Sequence, residues 1–139
     1  MLRWTVRLRG PWAGYDSAVT VRHCVYCFGG GQQDHIDVNI FNTVSFTWRK
    51  LTPAESPGRE GRHLEVPSGR TGYTAVLIED IVYLWGGMTN KGYCNVLYAL
   101  DVDAHTWSKP LVSGYIPRGR WYHSACVLRK DMLIHGGWT

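Results

Sequence analysis

Tyr83-Leu84-Trp85-Gly86-Gly87 is an apolar run that stops at a glycine pair, and the chain repeats the pattern. Cys27-Phe28-Gly29-Gly30 and Ile134-His135-Gly136-Gly137 are the other two copies. A glycine pair can end a strand where φ is positive and can admit a neighbouring backbone at close range. One pair is weak evidence; three with the same preceding pattern define a repeat. The pairs are 57 residues apart (Gly30 to Gly87) and 50 apart (Gly87 to Gly137). Arg70 precedes Gly87 by 17 residues and Arg120 precedes Gly137 by 17. Between these anchors Arg70-Thr71-Gly72-Tyr73-Thr74-Ala75 aligns with Arg120-Trp121-Tyr122-His123-Ser124-Ala125, and Tyr15-Asp16-Ser17-Ala18 falls in the same register. A tryptophan returns after each of the first two pairs: Trp48, 18 residues past Gly30, and Trp107, 20 past Gly87. Phe41-Asn42 and Leu100-Asp101 stand at matching places before them. The variation in period therefore lies in loops.

Each unit reads as four strands. In the second they are expected at 72–78, 81–86, 95–101 and 106–111, rich in Val, Ile, Tyr, Trp and Leu and punctuated by Gly, Asp, Asn and Pro. Glu79-Asp80 and Arg129-Lys130 suit short polar hairpin tips. Ile81-Val82-Tyr83-Leu84-Trp85 is apolar without alternation, which suits a sheet covered on both faces. Small four-stranded sheets stacked between neighbours are the blades of a β-propeller. The glycine pairs, the tryptophan spacing and the period near 50 resemble the kelch repeat over essentially the whole chain. The expected fold is all-β: an incomplete kelch β-propeller of about two and a half four-stranded blades plus an N-terminal closing strand. Its parts are a closing strand (1–9), repeat one (13–51), a loop (52–69), repeat two (70–111) and an incomplete repeat three (112–139). Residues 4–8 match a fourth strand and would complete a last blade, so the chain reads as a piece of a longer protein or a truncated product. Unpaired strand edges are expected as a consequence, and with them aggregation or partner pairing.

With 139 residues, 45% of them hydrophobic and 13% aromatic, the chain is not disordered in character. Cys24 and Cys27 form a C-x-x-C, but residues three apart on a strand point to opposite faces, and no second pair follows at metal spacing. These cysteines, with Cys94 and Cys126, read as structural thiols. No metal and no cofactor is expected. The N-terminus lacks the apolar core of a signal peptide, and no run is long enough to span a membrane. A reducing setting, cytoplasmic and nuclear, is expected. The net charge of +4 is scattered rather than massed, so a modest preference for acidic partners is all it supports.

Strand direction places the chemistry. In a four-stranded meander the glycine-pair loops, the inter-blade connections and the arginine positions share one end. Arg70, Arg120, Trp121, Tyr122, Tyr15 and the loop 52–69 are expected to converge there as a ligand-binding mouth. The guanidinium fork accepts a carboxylate in a bidentate way, and the rings supply apolar walls. The alternative for both arginines is bonding to carbonyls of neighbouring blades. Gly29, Gly30, Gly86, Gly87, Gly136, Gly137, Trp48 and Trp107 are assigned to the architecture, and His123 is read as a histidine bonded across blades. Unit one departs from the pattern with Ala13 at the arginine position and Asp16 at the His123 position.

Longer phrases are similar to one group within the kelch family. They are Met1-Leu2-Arg3-Trp4-Thr5-Val6, Ile36-Asp37-Val38 with Ile40-Phe41-Asn42, Cys94-Asn95-Val96-Leu97-Tyr98-Ala99, and His123-Ser124-Ala125-Cys126-Val127-Leu128. That group comprises substrate receptors of a cullin-2 ubiquitin ligase. The resemblance implies a six-bladed propeller that reads free protein C-terminal peptides, glycine-ended ones in particular. It also implies partnership with elongin B/C and cullin-2 through a segment C-terminal to the propeller. The alternatives are a chromatin-associated kelch scaffold in meiotic cells, and a non-functional truncated product. An enzyme on a propeller scaffold, such as a copper oxidase or a sialidase, is disfavoured. No copper-ligand constellation is present, and Asp16, Asp37, Glu65 and Asp101 fall on different elements.

Overall fold

A computed structural model describes residues 10, 14–29, 34–52 and 65–139. The expectations for the closing strand, for Ala13 and Gly30, and for most of the loop 52–69 lie outside these residues.

Among the described residues, eleven strands form three antiparallel sheets in chain order. Blade one is β1 (Tyr15–Val21), β2 (Cys24–Gly29), β3 (Asp37–Asn42) and β4 (Thr47–Lys50), paired in that order. Blade two is β5 (Thr71–Ile78), β6 (Ile81–Thr89), β8 (Leu97–Asp101) and β9 (Thr106–Ser108), with the short β7 (Gly92–Tyr93) folded back on the end of β6. The third sheet is β10 (Ser124–Leu128) with β11 (Asp131–His135). The meander expected from the repeat is present, with three adjustments. The glycine pair does not end β6: the strand runs through Gly86 and Gly87 to Thr89, because Asn90-Lys91 turns it into a hairpin with β7. The third strand of blade two starts at Leu97, and the fourth stops at Ser108. Positive φ holds at Gly86 (79°), Gly87 (90°), Gly136 (72°) and Gly137 (85°), whereas Gly29 is not left-handed and ends β2 opposite Tyr15 and Asp37.

The repeat is also written in the turns. Two-residue tips join β1–β2, β5–β6 and β10–β11, and the first tip residue is left-handed each time: Arg22, Glu79 and Arg129. The four-residue connections β3–β4 and β8–β9 end on left-handed Phe46 and His105. Asn42 and Asp101 explain themselves here. Asn42 Oδ1 accepts from Val44 N and Ser45 N (2.9 and 3.0 Å), and Asp101 Oδ1 accepts from Asp103 N and Ala104 N (2.9 and 2.8 Å). A short polar side chain closing its own turn is what those residue types do best. Each tryptophan lies directly across from the apolar residue that precedes it: Phe41 from Trp48, and Leu100 from Trp107.

The core lies between blades one and two. Phe28, Ile40, Val82, Leu84 and Leu100 are fully buried, and Trp107 meets the Phe28 ring edge-on at 6.3 Å. Burying each such side chain contributes roughly 1.5–3 kcal/mol. The unalternating run in β6 follows from its neighbours on both sides: Leu84 faces that core, while Trp85 turns the other way to meet the His123 ring at 5.1 Å. At the hairpin-tip end, exposed ion pairs cross between blades. Arg22 holds Asp80 (3.1 Å) and Asp103 (2.9 Å), and Lys130 holds Glu79 (2.6 Å). The guanidinium holds the Asp103 carboxyl below its usual range, and Lys130 does the same for Glu79. The four cysteines are free, Cys27 is buried, and its thiol is pushed up by that burial. Among the described residues no cluster of His, Cys, Asp and Glu could hold a metal, and no helix is long and apolar enough to cross a membrane.

Candidate functional site

The end of the molecule opposite the tips is built on missing side chains. Gly87 N donates to Arg120 O (2.8 Å) and Tyr122 N donates to Gly72 O (2.7 Å), so residues 120–122 lie flat on blade two. A Cβ on Gly86 would sit 2.5 Å from His123 Cε1 and 2.9 Å from Arg120 O, and one on Gly72 would sit 2.9 Å from Tyr122 N. Glycine at these positions is what lets the backbones approach. Blade one makes the matching link with a side chain: Asp16 Oδ1 accepts from Gly72 N (3.0 Å). Asp16 takes no part in the β1–β2 register, which shifts between Tyr15 and Ser17, and this is the structural form of its departure from the repeat.

Three rings form a shelf on this end. Trp121 and Tyr122 are 4.6 Å apart, and Tyr93 on β7 comes within 6.3 Å of Trp121. Tyr122 is 63% exposed, Tyr93 46% and the following Trp138 73%, so the aromatic surface is open. Trp138 is tied to the shelf by reciprocal backbone bonds with Trp121, both 3.0 Å. Tyr122 is left-handed (φ 50°), a conformation that costs a bulky residue energy.

The five residues singled out for ligand contact do not all meet. Arg120, Trp121 and Tyr122 are together, and Arg120 Nη1 donates to Gly136 O (2.9 Å) while its Nε is buried without a partner. Arg70 is at the same end but only 1% exposed, and its donors go to Ser68 O, Ser68 Oγ, Gly86 O, Cys94 Sγ and Tyr98 OH. The carbonyls these two arginines use across the glycine turns, Gly86 and Gly136, belong to their own blades rather than to neighbours. Tyr15 lies apart: its ring stacks on Trp48 at 6.5 Å, and burial pushes its hydroxyl up. Of the loop 52–69, the described end is structural. Pro67 O accepts from Ile36 N (2.9 Å), and Glu65 Oε2 accepts from Lys109 N (2.8 Å).

His123 crosses blades as read from the sequence, its Nε2 2.7 Å from Thr74 Oγ1. Its Nδ1 is buried without a partner, so the tautomer with the proton on Nε2, donating to Thr74, is the favourable one. Burial first and Arg120 second hold the imidazole below its ordinary value of 6.5. Tyr73 fills the equivalent place in blade two, where burial pushes its hydroxyl well up. The carboxylates Asp16, Asp37, Glu65 and Asp101 each have separate structural partners, so no paired acid site forms from them. Tyr93 does not stand out in the sequence, and Cys94 reads there only as a structural thiol. The turn signal Thr89-Asn90-Lys91-Gly92 after β6 was there to be read as a hairpin.

An all-β meander of glycine-paired sheets, with an open aromatic shelf where the blades meet, defines a repeat-built protein-binding module rather than a catalytic cleft. Residues 15–139 match the model of the KLHDC2/KLHL20/DRC7 Kelch-repeats domain, and the chain belongs to the kelch-repeat family. It is 51% identical over 147 aligned residues to Kelch domain-containing protein 3 of Bos taurus, and equally to that of Homo sapiens, covering 99% of this chain and 38% of each relative. A Leucine-zipper-like transcriptional regulator 1 homolog of Drosophila melanogaster is 28% identical over 96% of the chain and 15% of its own length. The chain thus spans 38% of the length of the curated mammalian relatives it matches.

Proposed function

We propose that this chain forms part of a receptor for protein C-termini, glycine-ended ones in particular, within a cullin-2 ubiquitin ligase that also contains elongin B/C, acting in the cytosol and nucleus. The observation that carries the reading is the shelf of Tyr93, Trp121 and Tyr122 beside Arg120. Open rings at a tightly built end supply apolar contact at low entropic cost. The adjacent guanidinium, with one donor spent on Gly136 O, retains further donors for a carboxylate. The identity to Kelch domain-containing protein 3 supports the same reading. The test is fluorescence anisotropy with a labelled glycine-ended peptide, once with a free C-terminus and once amidated. The free acid is expected to bind about tenfold tighter, the worth of one charge-assisted pair. Equal affinity for the two overturns the carboxylate reading. Failure to recover elongin B/C and cullin-2 from cells with a full-length kelch protein that carries this stretch overturns the ligase reading.

A further inference from the structure

We infer that Arg70 is a positioning residue that sets Tyr93 against Trp121, and that Tyr93 is a further ligand-contacting residue of the shelf. This rests on the receptor reading and adds to it which residues touch the ligand and which only hold them. The guanidinium is spent. Nε donates to Ser68 O (2.9 Å), and Nη2 to Ser68 Oγ (3.1 Å) and Tyr98 OH (3.5 Å). Nη1 donates to Gly86 O (3.4 Å) and Cys94 Sγ (3.0 Å). One face of the group lies over the Tyr98 ring at 4.9 Å. At 1% exposure it has no approach left for a ligand carboxylate.

What it grips is the return arm of the β6–β7 hairpin. Cys94 Sγ also accepts from Val96 N (3.4 Å), and Cys94 N donates to Gly87 O (2.9 Å). On the other side Gly119 lies so close that a Cβ there would be 2.6 Å from Tyr93 O. The peptide between Tyr93 and Cys94 is therefore clamped between Arg70 and the segment leading to Arg120. Tyr93 precedes the clamped cysteine, and its ring lies 6.3 Å from Trp121. A fork is needed because Ser68 and Cys94 must be held together. A lysine ammonium is a single point charge and cannot bridge them in that geometry.

The test uses the whole 139-residue chain and three variants: Arg70→Lys, Cys94→Ala and Tyr93→Ala. The first readout needs no ligand: the indole N–H resonance of Trp121, assigned by its loss in Trp121→Phe. Arg70→Lys and Cys94→Ala should both move it. Should Arg70→Lys fail to fold, Cys94→Ala decides, since it removes only the hairpin end of the clamp. An unmoved resonance in a folded variant overturns the inference. The second readout is the affinity for the free and amidated peptides. Each of the three variants should weaken both peptides by one common factor of about three to ten, the range for losing a well-packed aromatic contact. A fall in the free-to-amidated ratio in Arg70→Lys means that Arg70 meets the carboxylate itself and overturns its positioning role. Unchanged affinity in Tyr93→Ala overturns the contact role. If the wild-type chain binds the two peptides equally, the carboxylate reading fails on its own, and the Trp121 resonance still decides what Arg70 does.

Discussion

Blade two and the third sheet carry the same phrase, yet they give it different surroundings. Leu84 and Ile134 each stand three residues before the second glycine of their pair. Leu84 is fully buried under blade one, while Ile134 is half-buried. Gly86 and Gly136 are both first in their pair and both left-handed, at 79° and 72°. A Cβ on Gly86 would strike His123, whereas one on Gly136 would meet nothing within 4 Å. Arg70 has its donors placed on the protein, whereas Arg120 has a buried Nε without a partner. The repeat unit itself determines strands, turns and backbone hand. The energy at each position comes from what the neighbouring sheet lays against it. A repeat protein's stability is correspondingly a sum of unit and interface contributions.

This difference can be broken by mutation. The largest gap should appear at the first glycine. Gly86→Ala is expected to cost about 3 kcal/mol through overpacking and backbone strain, and Gly136→Ala only about 1 kcal/mol through strain alone. Equal shifts of the urea midpoint would mean that the inter-blade approach is not what Gly86 serves. Next comes Leu84→Ala, expected to cost about 3 kcal/mol, against about 1 kcal/mol for Ile134→Ala, where less surface is buried to begin with. Comparable values by urea unfolding would place as much of the core at the third sheet as between the first two.

A smaller effect separates His123 from Tyr73. The folded protein holds the His123 imidazole below its ordinary 6.5, so the unfolded chain takes up the proton first as pH falls. The contribution is fully present above pH 6.5 and is lost as pH drops toward the lower folded value. Tyr73 in the matching place, its hydroxyl pushed up, adds nothing in this window. The urea midpoint should fall between pH 7 and pH 5 and should flatten in His123→Phe; a slope that survives the substitution assigns it elsewhere. Smallest of all are the exposed pairs at the tips. Lys130→Ala and Arg22→Ala should leave the midpoint within error, and added salt should not widen any difference from wild type.

Much of this was legible in the residues. The glycine pairs, the paired tryptophans and the caps Asn42 and Asp101 act over a few positions, and local chemistry announces itself locally. The end of the molecule holding Arg70 and Arg120 followed from strand direction. How much of each guanidinium is spent did not, because Ser68, Cys94 and Tyr98 are brought to Arg70 by the β6–β8 pairing and the loop before β5. Tyr15 was read toward the mouth because it aligns with Tyr122. A shifted register at Asp16 goes with its stacking on Trp48 instead. Tyr93 is not legible in the sequence because Asn90-Lys91 reads as a loop after a strand finished at the glycine pair, whereas β6 runs on to Thr89 and folds back as β7.

The left-handed turn residues have a practical consequence. Arg22, Phe46, Glu79, His105 and Arg129 hold a backbone shape that glycine or asparagine adopts more readily, each at a cost of about 1 kcal/mol. Arg22 and Glu79 are tied by ion pairs to neighbouring tips, so additive gains are expected only from sites in separate connections outside those pairs, His105 and Arg129. Asparagine or glycine at His105 and Arg129 is expected to recover about 1 kcal/mol each, whereas Phe46, left-handed as well, also sets its ring against Phe41 at 6.3 Å. Those two changes would keep the ion-paired side chains of Arg22 and Glu79 and the aromatic shelf at the opposite end in place.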